Sequence, residues 1–243
     1  MLKKHQDAFG RGIYDYYHGE HVDEVIERDD GYIDVSDGPV SYLAKFEDWP
    51  QHQQRAIRHS KGRVLDIGCG GGRHSLYLQN QGMDVLGIDN SPFALKTCQE
   101  RGLKKSKLMD ITQITKKLGT FDTIVMMGNN FGLFTNPKRA KWLLRKFRNM
   151  TSPDAYIIAE TMDIYQTEAK HHLDYQAWNR KRGRMSGQVK IRVRYLNYCT
   201  PWLDYLMVSK PELETILEGT GWKAKKYING KSGIYCMILE KEA

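Results

Sequence analysis

The chain has 243 residues, carries a formal charge of +8 and is 11% aromatic. That length suits one domain of roughly 150–250 residues with an elaboration, and the apolar content excludes intrinsic disorder. No apolar run nears the roughly 20 residues of a membrane span, and the first residues carry no signal-peptide apolar stretch. Cys69, Cys98, Cys199 and Cys236 form no C-x-x-C pair. The expectation is a reduced, cytoplasmic globular protein with no metal site.

In chain order, residues 1–60 read as a polar N-terminal helical segment, a candidate lid, with Tyr14, Tyr16 and Tyr17 beside His18 and His21. Residues 61–243 then read as the main domain. Val64-Leu65-Asp66-Ile67 is a buried strand, Gly68 to Gly72 a tight turn, and Arg73 to Gln81 a helix stopped by Gly82. Asp84 to Asp89 is the next strand. Ser91 and Pro92 start a helix that Gly102 ends. Lys107-Leu108-Met109 and Phe121 to Met127 are further strands. After Asn136-Pro137, the residues Ala140, Leu143, Leu144, Phe147 and Met150 share one helical face. Tyr156 to Glu160 is a fifth strand. The alternation breaks at an insert covering about 163–208, where Gln188 to Tyr195 and Leu203 to Val208 have the period of a β-hairpin. A helix from Pro211 and two strands joined by Asn229 to Gly233 close the chain. This order predicts an α/β fold, Rossmann-like and doubly wound, with helices on both faces and a ligand crevice at the carboxyl ends of the strands.

The chemistry concentrates there. In Asp66-x-Gly68-x-Gly70-x-Gly72, glycines let the backbone turn and a ligand approach, while the following helix aims free N–H groups at the same spot. A dinucleotide fingerprint read from Gly68 requires a glycine where Arg73 stands, which disfavours a nicotinamide or flavin cofactor. Asp89 ends the second strand, where a carboxylate accepts the hydroxyl protons of a ribose. Asp110 ends the third, within reach of an adenine amino group. The three acids converge on an adenosine-containing ligand.

Val64 to Gly72, followed by Gly87-Ile88-Asp89 and Met109-Asp110, resembles the class I S-adenosylmethionine-dependent methyltransferases, over roughly residues 60–160 and more loosely over the last two strands. The resemblance implies a seven-stranded mixed sheet with an antiparallel last strand and S-adenosylmethionine as cofactor, released as S-adenosylhomocysteine. By it, Gly68, Gly70 and Gly72 line the cofactor with Asp66 behind them. Asp89 and Asn90 take the ribose, Asp110 and Ile111 the adenine, and Gly128 and Asn129 face the methionine end. Met127-Gly128-Asn129-Asn130-Phe131 lacks the Pro-Pro-aromatic motif common in enzymes that methylate the amino groups of nucleic-acid bases.

A sulfonium methyl is already activated, so such an enzyme aligns a nucleophile in line with the C–S bond and excludes water. Asn130 is a candidate to orient the acceptor, and Tyr17 with His18 or His21 a candidate wall or base if the lid folds over. The insert supplies Arg180, Lys181, Arg182, Arg184, Lys190, Arg192 and Arg194 with no nearby acid in sequence, plus Trp202; Arg194 and Trp202 are its candidate substrate contacts. The expected reaction is in-line methyl transfer to a small-molecule acceptor, and the basic insert suits an anionic one. The alternatives are an RNA methyltransferase reading its substrate with the basic insert, and a non-catalytic cofactor-binding protein.

Overall fold

The computed structural model describes residues 2–242. The chain begins with helix α1 (Ala8–Tyr17), whose N-terminus is closed by the Asp7 carboxylate accepting from the Gly10 N–H at 3.2 Å. A hairpin of β1 (Glu24–Arg28) and β2 (Ile33–Ser36) follows, then α2 (Gly38–Leu43) and α3 (Gln51–Ile57). The first sixty residues are therefore not simply helical, as their composition led us to expect. Besides β2, β1 has a partner far along the chain, the strand Gln188–Tyr195: Glu27 meets Arg192 across 165 positions. No local pattern reports such a pairing.

From β3 (Arg63–Ile67) the strands and helices alternate: α4 (Arg73–Asn80), β4 (Asp84–Asp89), α5 (Pro92–Glu100), β5 (Ser106–Leu108), β6 (Phe121–Met126), α6 (Pro137–Arg148) and β7 (Thr151–Met162). Ser91 caps α5 through the Ala94 N–H, and Asn136 caps α6 through the Arg139 N–H, each with a proline in the first turn. The insert contains α7 (Lys170–Lys181), β8 (Gln188–Tyr195), the short β9 (Tyr198–Cys199) and β10 (Leu203–Leu206). Then come α8 (Lys210–Leu217), β11 (Trp222–Asn229) and β12 (Ile234–Lys241). The insert hairpin forms as its alternation implied, with Leu203 opposite Ile191.

Seven strands form the main sheet in the order β11-β12-β7-β6-β3-β4-β5. Its β3, β4, β5, β6 and β7 run parallel, while β12 runs antiparallel to both neighbours. Alternate residues of one strand serve opposite cores. Leu65, Ile124 and Ile157 pack with Leu143, Leu144 and Phe147 of α6; Val64, Val125 and Ile158 pack with Ala56, Ile57 and Leu78. This double burial explains the nearly continuous apolar strands. A second sheet, β10-β8-β1-β2 with β9 on β8, joins the insert to the N-terminal hairpin. Its strand β10 packs beside the turn that follows β6, which brings residues from both ends of the chain to one edge of the main sheet. No described helix is long and apolar enough to cross a membrane.

Candidate active site

The loop after β3 is built by backbone as much as by side chain. Gly68 and Gly70 take φ values of +70° and +54°, the left-handed region that a Cβ disfavours. At Gly70 an added Cβ would meet nothing nearer than Ile13 of α1 at 3.8 Å, so the loop leaves room on that side. Asp66 lies behind it, buried, accepting from the Ser75 hydroxyl at 2.6 Å. Burial pushes its carboxyl up to about 6, the Ser75 bond working against that.

Asp89 ends β4 facing this loop. One of its oxygens accepts from the Gly70 N–H and the other from the Ser91 N–H, both at 2.9 Å. A carboxylate offers about four lone-pair sites, so two remain for ligand hydroxyls. Burial raises its pKa and the backbone N–H groups oppose the rise. Asn90 follows, half-buried. Asp110 caps a short turn through the Thr112 N–H at 2.8 Å, with Arg139 at 3.9 Å, and Ile111 is buried beneath it.

The third wall is the turn after β6. Asn130 donates to the Ile67 and Gly68 carbonyls at 3.1 and 2.9 Å, fastening the two loops together. Glu160, near the end of β7, accepts from the Gly128 and Asn129 N–H groups at 2.6 and 3.1 Å. The same buried carboxylate meets His52 at 2.6 Å and accepts from Gln53 at 2.9 Å. Burial alone would raise its pKa, but the bonds from His52 and Gln53 outweigh it and hold Glu160 below the usual range. Gln53 accepts from Arg73 at 3.0 Å, and the Tyr205 hydroxyl of β10 donates to the Asn129 carbonyl at 2.6 Å.

Residues 64–154 match the family model described as a methyltransferase domain. The chain is 27% identical over 152 residues to the glycine/sarcosine N-methyltransferase of Halorhodospira halochloris, covering 60% of this chain and 54% of that protein. It is 29% identical over 119 residues to the ubiquinone biosynthesis O-methyltransferase of Azorhizobium caulinodans, covering 46% and 45%. It thus spans about half the length of the curated relatives it matches. A SAM-dependent methyltransferase of Bacteroides fragilis, solved with S-adenosyl-L-homocysteine, has the same fold over 100% of this chain and 98% of that one, with TM-score 0.85 at 24% identity. The chain thus carries a methyltransferase domain over residues 64–154 and has the fold of a class I S-adenosylmethionine-dependent methyltransferase.

The residues at the crevice fit S-adenosylmethionine, the cofactor that the resemblance implies. Asp89 keeps free lone pairs at the strand end, the glycine loop leaves open space over Gly70, and Gly128 is exposed at the opposite wall. Asp66, Gly68, Gly70, Gly72, Asp89, Asn90, Asp110, Ile111, Gly128, Asn129 and Asn130 lie along the carboxyl edge of β3, β4, β5 and β6. The acceptor candidates from the flanks are not brought there. His18 sits 3.3 Å from Glu100, at the far end of α5 from Asp89, and Tyr17 beside it is exposed. His21 faces Asp23 at 3.6 Å. Arg194 is tied to Glu27 at 3.0 Å, and Trp202 is exposed with the Arg192 guanidinium 4.6 Å from its ring centre. Alternation did place Arg192 and Arg194 on one face, but Glu27 of β1 meets both, and the two arginines hold its carboxyl down to about 2. Sequence reasoning missed Glu160, His52, Gln53 and Tyr205, whose partners lie on distant segments. Arg73 was visible only as a break in a glycine fingerprint.

Proposed function

We propose that the protein transfers the methyl group of S-adenosylmethionine to a small-molecule acceptor bound beside residues 128–130. The observation that carries this reading is the meeting of Asp89, the glycine loop and the Gly128–Asn130 turn at one crevice. The cofactor supplies an activated methyl on a sulfonium; the protein has to hold both partners in line and keep water out. Asp89 would hold the ribose hydroxyls, Asp110 and the Ile111 backbone the adenine, and the glycine loop with Gly128 the methionine end. Asn129 and Asn130, fixed by Glu160, Tyr205 and the Ile67 and Gly68 carbonyls, would form a rigid floor under the acceptor.

The Tyr205 bond to Asn129 supports a role for the insert, residues 163–208, in shaping the acceptor pocket. The insert's cations give less support to an RNA substrate than their sequence implied. Arg182 meets Asp29, Arg184 meets Asp204, and Arg192 and Arg194 share Glu27. The RNA reading keeps one foothold on α6, which exposes Trp142 among Lys138, Lys141, Arg145, Lys146 and Arg148. An RNA substrate would show affinity falling steeply with salt; a small acceptor would show little such slope. Calorimetric titration with S-adenosylhomocysteine tests the cofactor site. Binding by the protein and loss of it in Asp89→Ala support the assignment, and equal affinity in both would refute it.

A further inference from the structure

The small sheet holds a buried carboxylate with no cation paired to it among the described residues. Glu24 opens β1 and is wholly buried. Its Oε1 has no hydrogen-bond partner, and its Oε2 has only the Tyr42 hydroxyl at 3.5 Å. Two helices are cut away to house it. A Cβ at Gly12 of α1 would stand 3.3 Å from Oε1, and one at Gly38 of α2 would collide with Oε2. Burial and the nearby Glu24 carboxylate push the Tyr42 hydroxyl well above its ordinary pKa, with Arg73 opposing. Arg73 is not bound to an acid: it donates to the Ser41 carbonyl at 2.8 Å and to Gln53. Tyr42, Arg73, Tyr205 and Asn129 are half-buried, and the Tyr205 hydroxyl ties this group to the turn after β6. Asn129 adds a second unpartnered acceptor, its Oδ1.

A buried carboxylate without a cation is expensive, and so is a buried carbonyl without a donor. Both are relieved by one kind of ligand, a small cation rich in N–H donors. We infer that the methyl acceptor is a compact amine, and that its ammonium group is bound and deprotonated at Glu24. This rests on the methyltransferase reading above. Binding of the ammonium displaces any proton on Glu24 to solvent. The carboxylate then takes one proton from the ammonium, leaving a neutral amine and a carboxylic acid. The nitrogen lone pair forms the new N–C bond while the methyl–sulfur bond breaks and its electron pair stays on sulfur. The products are a methylated ammonium and S-adenosylhomocysteine. Burial pushes the Glu24 carboxyl up to about 8, in the range where a base works at neutral pH.

The test is calorimetry on protein saturated with S-adenosylhomocysteine, using ethylammonium and glycine as probes in two buffers of different ionisation enthalpy. At least one probe should bind at neutral pH and release a proton. Glu24→Gln should weaken that binding roughly ten- to a hundredfold and abolish the release, with S-adenosylhomocysteine affinity unchanged. Glu24→Asp, which keeps the charge, should retain part of both. If neither probe binds, or if Glu24→Gln binds them equally well with the same proton release, the inference is wrong while the methyltransferase reading stands. If the unsubstituted protein fails to bind S-adenosylhomocysteine, the methyltransferase reading falls, and this inference with it.

Discussion

Asp89 is half-buried and Glu24 wholly buried, and their surroundings set them to different work. Asp89 is met by two backbone N–H groups and keeps lone pairs for a ligand. Replacing it with alanine removes a charge-assisted contact of roughly 1.5–3 kcal/mol, so S-adenosylhomocysteine affinity should fall by about ten- to a hundredfold in a titration. Glu24 has no such support, and its folded pKa lies far above the ordinary glutamate value. The folded protein therefore binds a proton that the unfolded chain releases between about pH 4.5 and pH 8. Stability drawn from Glu24 declines as pH rises through that window. Glu24→Gln should flatten the decline, so its melting temperature should match the parent near pH 5 and exceed it near pH 8. Glu160 has the opposite sign, since its folded pKa is lowered. Its contribution is present at neutral pH and is lost as acid protonates it. Glu160→Ala leaves two N–H groups, His52 and Gln53 without their partner and should cost on the order of 3–5 kcal/mol in chemical denaturation. Asp66, the loop glycines, Asp89 and Asp110 were legible in the sequence because each acts where a strand gives way to a turn. Glu24 and Glu160 were not, because burial and long-range partners define them and neither leaves a local trace.

At the scale of elements, the same division holds. The strands and helices from Arg63 to Met162 could be read in order, since apolar runs, caps and stop glycines are all local signals. The pairing of β1 with β8 could not, and it changes the meaning of the basic insert. Arg192 and Arg194 lie against Glu27, so they anchor one sheet edge to another. Arg194→Ala should accordingly leave the fold and S-adenosylhomocysteine affinity unchanged; a large loss of either would return the insert's cations to the site. Helix α1 shows a further long-range effect. Asp7 accepts from the Phe93 N–H at 3.1 Å, Tyr14 meets Lys96 at 2.8 Å, and Ile13 approaches the glycine loop. The segment thus lies across the loop with its isoleucine inward, while His18 and Tyr17 end up on the outer side.

At the scale of the molecule, two sheets meet at one crevice. The main sheet presents the carboxyl ends of β3, β4, β5 and β6, where the candidate cofactor residues lie. The small sheet, joined from the N-terminal hairpin and the insert, brings Tyr205 to the turn after β6 and holds the buried Glu24 against Tyr42. Fold-level likeness gives the architecture, and the acceptor has to be sought in the local chemistry of the site. The central claim, that the crevice holds an adenosyl cofactor, is tested most directly by thermal unfolding with S-adenosylmethionine, S-adenosylhomocysteine and NAD. At about 100 times its dissociation constant a ligand adds roughly 2.7 kcal/mol, which for a chain of this size raises the melting temperature by about 5–11 °C. Such a rise with both adenosyl ligands and none with NAD is the predicted result; no rise with either adenosyl ligand would contradict the account.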